Sequence, residues 1–341
     1  IKVFSNPSIL ITFKGIIFFM NRKRFLNRIT YAGLGLTAIG FSSCRNDVKK
    51  EISAKNAKKP FFKLSLAQWS IHNMIAKGEI SPYSFAEIAK KWGFEGLEYV
   101  NSLYQDIMKS TNKNEELKSF VSKNNALALE HNLNNLLIMI DDEGNLSDSN
   151  KSARVLAIEN HKPWVEAASK MGCHSIRVNL HGSTNNIDAW KETSKESLTE
   201  LSDFAMNYKI NIIVENHGGF SSNADFLMEV INGVNKENCG TLPDFGNFCI
   251  SGKWGSSSGE CDNEYDKYLG VKKLMPKAFA VSAKSYDFDD EGYEKNIDYK
   301  RMLDIVKAAN YSGYIGVEYE GSRLSEKNGT IATKDLLLKI E

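Results

Sequence analysis

The chain has 341 residues, 42% of them apolar and 25% charged. These are globular proportions, and they exclude a collagen-like, wholly disordered or multi-span membrane protein. With 43 Lys and Arg against 42 Asp and Glu, the net charge is +1. That balance argues against a nucleic-acid binder, which carries a basic excess on one face.

In chain order, residues 1–43 hold Lys2, Lys14, Arg22, Lys23, Arg24 and Arg28 and no acid, so the rest carries 37 bases against 42 acids, a net of −5. Met20 is the first methionine, and residues 1–19 read as translated upstream sequence outside the fold. Residues 20–44 have the layout of a secretory signal, with basic Asn21–Arg28, apolar Ile29–Phe41 and the small Ser42-Ser43 before Cys44. The apolar run has 13 residues, short of the roughly 20 a spanning helix needs. Phe41-Ser42-Ser43-Cys44 resembles a bacterial lipobox, with Cys44 as the lipidated residue. Arg22-Lys23-Arg24-Phe25-Leu26 resembles a twin-arginine export signal with Lys in place of one Arg. The expectation is an exported protein, lipid-anchored to a bacterial membrane, periplasmic or at the cell surface. The alternative is a buried N-terminal helix that happens to end in Cys. Residues 45–60 are polar and rich in Lys and Asn, as a flexible tether would be.

Residues 61–341 alternate short apolar runs with longer amphipathic ones. Strands are predicted at Lys63–Trp69, Gly96–Tyr99, Asn135–Ile140, Ser175–Asn179, Ile212–Asn216, Thr241–Asp244, Ala278–Lys284 and Tyr314–Glu318. Helices are predicted between them at Tyr83–Trp92, Glu115–Asn124, Arg154–Met171, Thr193–Tyr208, Ala224–Val234, Tyr265–Met275 and Tyr299–Ala309. Leu127–Ile140 reads equally as a helix followed by a strand or as one long helix. Strand–helix alternation over a body of this size predicts an α/β single domain, a (β/α)8 TIM barrel preceded by the signal and tether. A doubly wound open sheet is the alternative, and the absence of GxGxxG and GxxxxGK[ST] weakens its nucleotide-binding forms. The Gly- and Ser-rich connection Phe248–Asn263 is long enough to be functional. Cys173, Cys239, Cys249 and Cys261 form no CxxC; an exported protein could pair them, but Cys173 and Cys239 sit just before apolar runs, which favours buried thiols.

In a barrel the chemistry sits at the C-terminal strand ends. Those ends carry Gln68-Trp69-Ser70-Ile71-His72, Glu98-Tyr99, Asp141-Asp142-Glu143, Arg177-Val178-Asn179, Glu215-Asn216-His217, Asp244-Phe245-Gly246-Asn247, Ser282-Ala283-Lys284 and Glu318-Tyr319-Glu320. Converging buried carboxylates are costly without a cation or proton. Glu215, Asp244 and Glu318 therefore predict a divalent metal, Mn or Mg with oxygen ligands, or Zn if a nitrogen joins. His217 is two residues past Glu215, on the same side of an extended strand. Lys284 is read as a general acid, a substrate donor or an ion-pair partner. Trp69 stacks on a sugar or caps the barrel core. Arg177 binds an anion or pairs with a carboxylate. His72, Asn179 and Asn247 join Trp69 and Arg177 as candidate substrate contacts.

At these residues the chain resembles the sugar phosphate isomerase/epimerase proteins of the xylose-isomerase-like barrel superfamily. The resemblance runs from Phe61 to Gly321, through Leu64–His72, Ile176–Asn179, Val214–Gly219, Leu242–Phe248 and Gly316–Glu320. It implies a divalent metal held by Glu, Asp, His and Glu on strands five to eight, with Glu215, Asp244 and Glu318 as first, second and fourth. It also implies that the two Glu residues serve as acid and base. The nitrogen ligands are absent, because Ser282 stands where His is usual and Asn247 where a second His is frequent. Three carboxylates with water, recruitment of His217, or loss of the metal all remain open here.

The function expected is a sugar isomerase or epimerase using metal-assisted proton abstraction α to a carbonyl, through an enediolate. Export and the lack of a phosphate-binding loop point to a non-phosphorylated sugar. One alternative is a lyase or hydrolase acting on keto-glycosides by the same chemistry. Another is a non-catalytic, lipid-anchored carbohydrate-binding protein. A homo-oligomer is compatible with the sequence. Nucleic acid is not an expected partner.

Overall fold

In the computed structural model, the apolar runs of the body become eight parallel strands. They are β1 (Lys63–Ala67), β2 (Gly96–Val100), β3 (Asn134–Met139), β4 (Ser175–Val178), β5 (Asn211–Glu215), β6 (Cys239–Leu242), β7 (Val281–Ser285) and β8 (Tyr314–Tyr319). The structure describes residues 59–182, 185–256 and 261–341, together with a short antiparallel pairing of Thr12–Phe13 with Ile16–Ile17. The signal segment, its lipobox Cys44 and nearly all of the tether lie outside the described residues. No helix among the described residues is long and apolar enough to cross a membrane.

The strands run β6-β5-β4-β3-β2-β1-β8-β7 around the sheet. The two outer strands then meet. Thr241 bridges to Ala278 and Asp244 to Ser282. The Ser282 N–H donates to the Pro243 carbonyl at 2.9 Å, and the Phe245 N–H to the Ser282 carbonyl at 3.1 Å. This closes the ring and decides for the barrel over the open sheet. Around it stand α1 (Phe85–Trp92), α2 (Lys113–Glu130), α3 (Lys151–Met171), α4 (Ile187–Met206), α5 (Ala224–Val234), α6 (Lys267–Leu274), α7 (Tyr299–Ala308) and α8 (Glu326–Ile340).

Local chemistry sets where these elements start and stop. Asn150, Asn186, Asn223, Asp266, Asp298 and Ser325 each accept a backbone N–H in the first turn of the helix they precede. Gly93 and Gly172 end α1 and α3 in the left-handed conformation. The predicted strand at Thr241–Asp244 forms two residues earlier, because Pro243 has no N–H to give a ladder. The ambiguous Leu127–Ile140 segment resolves into the end of α2 followed by β3. The closing helix α8 had no counterpart among the predicted elements.

Alternation along the strands builds two cores. Leu64, Leu66, Leu97, Tyr99, Ile176, Val178, Ile212, Val214, Ile315 and Val317 belong to the large cluster beneath the helices. Ala67, Val100, Leu137, Met139, Ile213, Leu242 and Ala280 form a separate small cluster, with Trp69 packed against it. The remaining positions of that second set are polar: Ser65, Glu98, Arg177, Glu215, Asp244, Ser282, Lys284 and Glu318 are all buried. The barrel interior is thus part apolar and part ionic. Gly316 on β8 belongs there because a Cβ would sit 2.5 Å from the Glu98 carboxylate.

Candidate active site

Glu215, Asp244 and Glu318 come together at the ends of β5 and β8 and just past β6, each offering one oxygen within 4.8 Å of the others. All three are buried. Burial pushes the Glu215 carboxyl well above the usual range; Arg177 opposes this, and Glu318 and Asp244 add to it. Burial lifts Asp244 to about 6, against the pull of Lys284.

Two cations face this cluster. Lys284 is fully buried, with Nζ 2.7 Å from Glu318 Oε1, 3.0 Å from Glu320 Oε1 and 3.7 Å from Asp244 Oδ2. Burial works against its charge, but Glu318, Glu320 and Asp244 outweigh it and hold Lys284 protonated well above the ordinary lysine range. Arg177 donates from Nη1 to Asp141 Oδ1 at 2.7 Å. Its Nε lies 2.9 Å from Glu215 Oε2. That N–H is not aligned with the oxygen, so Glu215 Oε2 is a buried carboxylate atom without a hydrogen bond.

Neutral groups fix the carboxylates further. Asn247 donates to Glu215 Oε1 at 3.0 Å. Ser282 Oγ lies 2.7 Å from Asp244 Oδ2 and 3.1 Å from Glu318 Oε2. The Gly246 and Asn247 N–H groups both donate to Asp244 Oδ1 at 2.8 Å.

A chain of hydrogen bonds sets the state of His217. Asn179 Nδ2 donates to Asp141 Oδ1 at 2.7 Å, which turns Asn179 Oδ1 toward His217 Nδ1, 2.8 Å away. His217 therefore carries its proton on Nδ1 and keeps Nε2 as an acceptor. Burial and the charges of Arg177 and Lys284 hold its pKa well below 6.5, so the ring is neutral. Nδ1 is 3.9 Å from Glu215 Oε2.

The donor set suits a divalent ion. Two oxygens bound to one ion at about 2.1–2.4 Å lie no more than about 4.8 Å apart, the spacing found here, and Glu215 Oε2 has no competing hydrogen bond. Three carboxylates without a nitrogen favour a hard ion such as magnesium or manganese.

The predicted contacts fare unevenly. Glu215, Asp244, Glu318, Lys284, His217, Arg177, Asn179 and Asn247 form one connected site. Arg177 and Asn247 are engaged with carboxylates, so they shape the site by holding its acids. His72 is not drawn in. β1 ends at Ala67, and Gln68–Ile71 turn into a 3-10 helix. His72 then stacks on Trp69 at 4.3 Å and pairs with Glu326 at 3.4 Å. Trp69 caps the inner cluster, the second of its two readings. The buried-thiol reading holds for Cys173 and Cys239, and the alternative of pairing holds for the other two. Cys249 and Cys261 form a disulfide, because Ile250 N–H to Asn263 O at 2.8 Å folds the loop back on itself.

The sequence reading placed Asp141 and Glu98 at strand ends without giving them a role, and it did not single out His181 or Trp254. Asp141 anchors both Arg177 and Asn179. Glu98, on β2, accepts from Ser65 at 2.5 Å and keeps a buried Oε2 without a partner. Burial, with Glu318 adding, lifts Glu98 to about 7. His181 and Trp254 meet edge to face at 4.7 Å. His181 is two residues past Asn179, the spacing that marks His217 after Glu215, and that is the signal which was available.

Residues 86–339 match the family described as xylose isomerase-like TIM barrel. Among solved structures, D-psicose 3-epimerase with D-tagatose from Clostridium cellulolyticum H10 is 14% identical over 82% of this chain and 99% of its own, with a TM-score of 0.61. The 3-keto-D-glucoside 4-epimerase from E. coli is 15% identical over 76% and 94%, with a TM-score of 0.58. The IolI protein with a binding zinc atom is 17% identical over 82% and 98%, with a TM-score of 0.57. At these identities the likeness is one of fold. No curated protein matches the chain.

Proposed function

The chain belongs to the xylose isomerase-like TIM barrel family, and from that premise we propose that it is a metal-dependent sugar isomerase or epimerase acting on a non-phosphorylated sugar. One observation carries the reading: three buried carboxylates converge at the strand ends, faced by two fixed cations. Solved relatives of the same fold include epimerases of free ketoses and of a keto-glucoside.

Glu215, Asp244 and Glu318 would hold the divalent ion, which as a Lewis acid stabilises negative charge on a substrate carbonyl oxygen. Glu215 and Glu318 reach the site from strands β5 and β8 and serve as the proton-transfer pair on the carbon α to that carbonyl. Arg177 and Lys284 keep fixed positive charge beside the developing enediolate without reorganisation. Asn247 and Ser282 hold the carboxylates in place. Neutral His217 offers Nε2 as an acceptor for a sugar hydroxyl.

Export with a lipid anchor at Cys44 is part of the proposal. The Cys249–Cys261 disulfide supports it, since such bonds persist in oxidising compartments. Loss of palmitate labelling in Cys44→Ala would establish the anchor, and unchanged labelling would remove it.

The reaction is tested by incubating the manganese- or magnesium-loaded protein with a panel of ketoses in deuterated water. Metal-dependent deuterium uptake at the carbon next to the carbonyl is the expected result. If the loaded protein binds sugars and exchanges no proton, it is a carbohydrate-binding protein instead.

A further inference from the structure

Beside the carboxylate cluster is an open cavity of about 360 Å³. Its lining includes Asp141, Asn145, Asn179, His181, Lys253 and Trp254, and none of Glu215, Asp244, Glu318 or Lys284. It is nonetheless wired to that cluster, through Asn179 to His217 at 2.8 Å and through Asp141 to Arg177 at 2.7 Å. Whatever fills it lies next to the reacting centre without occupying it.

The lining has the chemistry of a sugar-ring site. Trp254 is 44% exposed at the mouth of this cavity, with Lys253 Nζ over its ring at 5.0 Å. Its ring is backed by His181 at 4.7 Å and His217 at 5.3 Å. Burial holds His181 at about 4, so it is a neutral ring near pH 7. An aromatic face beside carboxylate, amide and imidazole groups matches the C–H face and hydroxyl rim of a pyranose.

Trp254 is also held in place. It belongs to the connection between Cys249 and Cys261, which the disulfide closes. The Cys249 N–H donates to Gly255 O at 2.9 Å. At Gly218, with φ of +98°, any Cβ would collide with the Lys253 carbonyl, so the loop after β5 and the Trp254 loop pack backbone to backbone. The short-range closure reduces the freedom Trp254 would otherwise lose on binding.

We infer that Trp254 on the disulfide-closed loop forms a second sugar subsite, so that the preferred substrate is a glycoside or disaccharide whose non-reacting ring stacks there. This rests on the isomerase or epimerase reading of the carboxylate site. It adds a specificity residue and a substrate class.

The test compares D-fructose with ketose-ended disaccharides, lactulose, maltulose and cellobiulose, on the metal-loaded full chain. Binding is read by calorimetry and turnover by deuterium exchange. At least one disaccharide is expected to bind about tenfold or more tightly than D-fructose. Trp254→Ala brings that disaccharide down to the D-fructose level, and Trp254→Phe keeps most of the preference. Cys249→Ser with Cys261→Ser reduces it as well. A preference that survives Trp254→Ala, or no preference across the panel, overturns the subsite. Absence of deuterium exchange with the preference intact removes the isomerase reading and leaves the subsite standing.

Discussion

Ser282 and Asp244 face each other across the seam where β7 closes on β6, with Ser282 Oγ 2.7 Å from Asp244 Oδ2 and 3.1 Å from Glu318 Oε2. A hydroxyl is a poorer metal ligand than an imidazole, and this one hydrogen-bonds two carboxylates. Ser282→His would turn an all-oxygen set into one with a nitrogen. Zinc affinity measured by calorimetry should rise at least about tenfold relative to magnesium. An unchanged ratio would separate this position from the metal.

Glu215 is both a ligand and half of the proton-transfer pair in this reading. Glu215→Gln keeps the shape and the Asn247 contact but loses the charge. Deuterium exchange should fall at least about a hundredfold, together with weaker manganese binding, while the circular dichroism spectrum stays that of the parent. Near-parental exchange would take Glu215 out of the mechanism.

Lys284 sits without solvent contact among Glu318, Glu320 and Asp244. Removing one partner of such a buried pair leaves uncompensated charge and costs about 3–5 kcal/mol. Lys284→Met should lower the denaturation midpoint accordingly in the metal-free protein. Millimolar manganese should restore part of the loss, because a divalent ion supplies positive charge to the same oxygens. A variant as stable as the parent without metal would show that the carboxylates are neutralised in some other way.

Glu98 gives a pH dependence. Its carboxyl is raised from 4.5 to about 7 in the folded protein, first by burial. Between those values the folded state holds a proton that the unfolded state releases, so this group's contribution to stability falls as pH rises from 4.5 and is gone above about 7. The difference corresponds to about 3 kcal/mol. Glu98→Gln should therefore be more stable than the parent at pH 8 and close to it at pH 4.5, by urea denaturation at each pH. An equal difference at both values would contradict a buried, titrating Glu98.

The sequence by itself determined the barrel and the acids at its mouth. Each predicted strand overlaps an observed one, because parallel strands buried on both faces read as apolar runs between turn residues. Glu215, Asp244 and Glu318 were legible for the same reason: where a strand ends is local information, and in this architecture strand ends share one face. The tertiary structure decided what each polar group spends its bonds on. Arg177 meets Asp141 and Glu215, at sequence separations of 36 and 38, and Ser282 meets Asp244 across the seam. Cys249 meets Cys261 through a folded loop, and His72 leaves the site because β1 stops at Ala67. Hydrogen bonds and ion pairs act over a few ångströms, and these residues come within that range through pairing of neighbouring strands, folding of the loop and, for Ser282 with Asp244, closure of the ring.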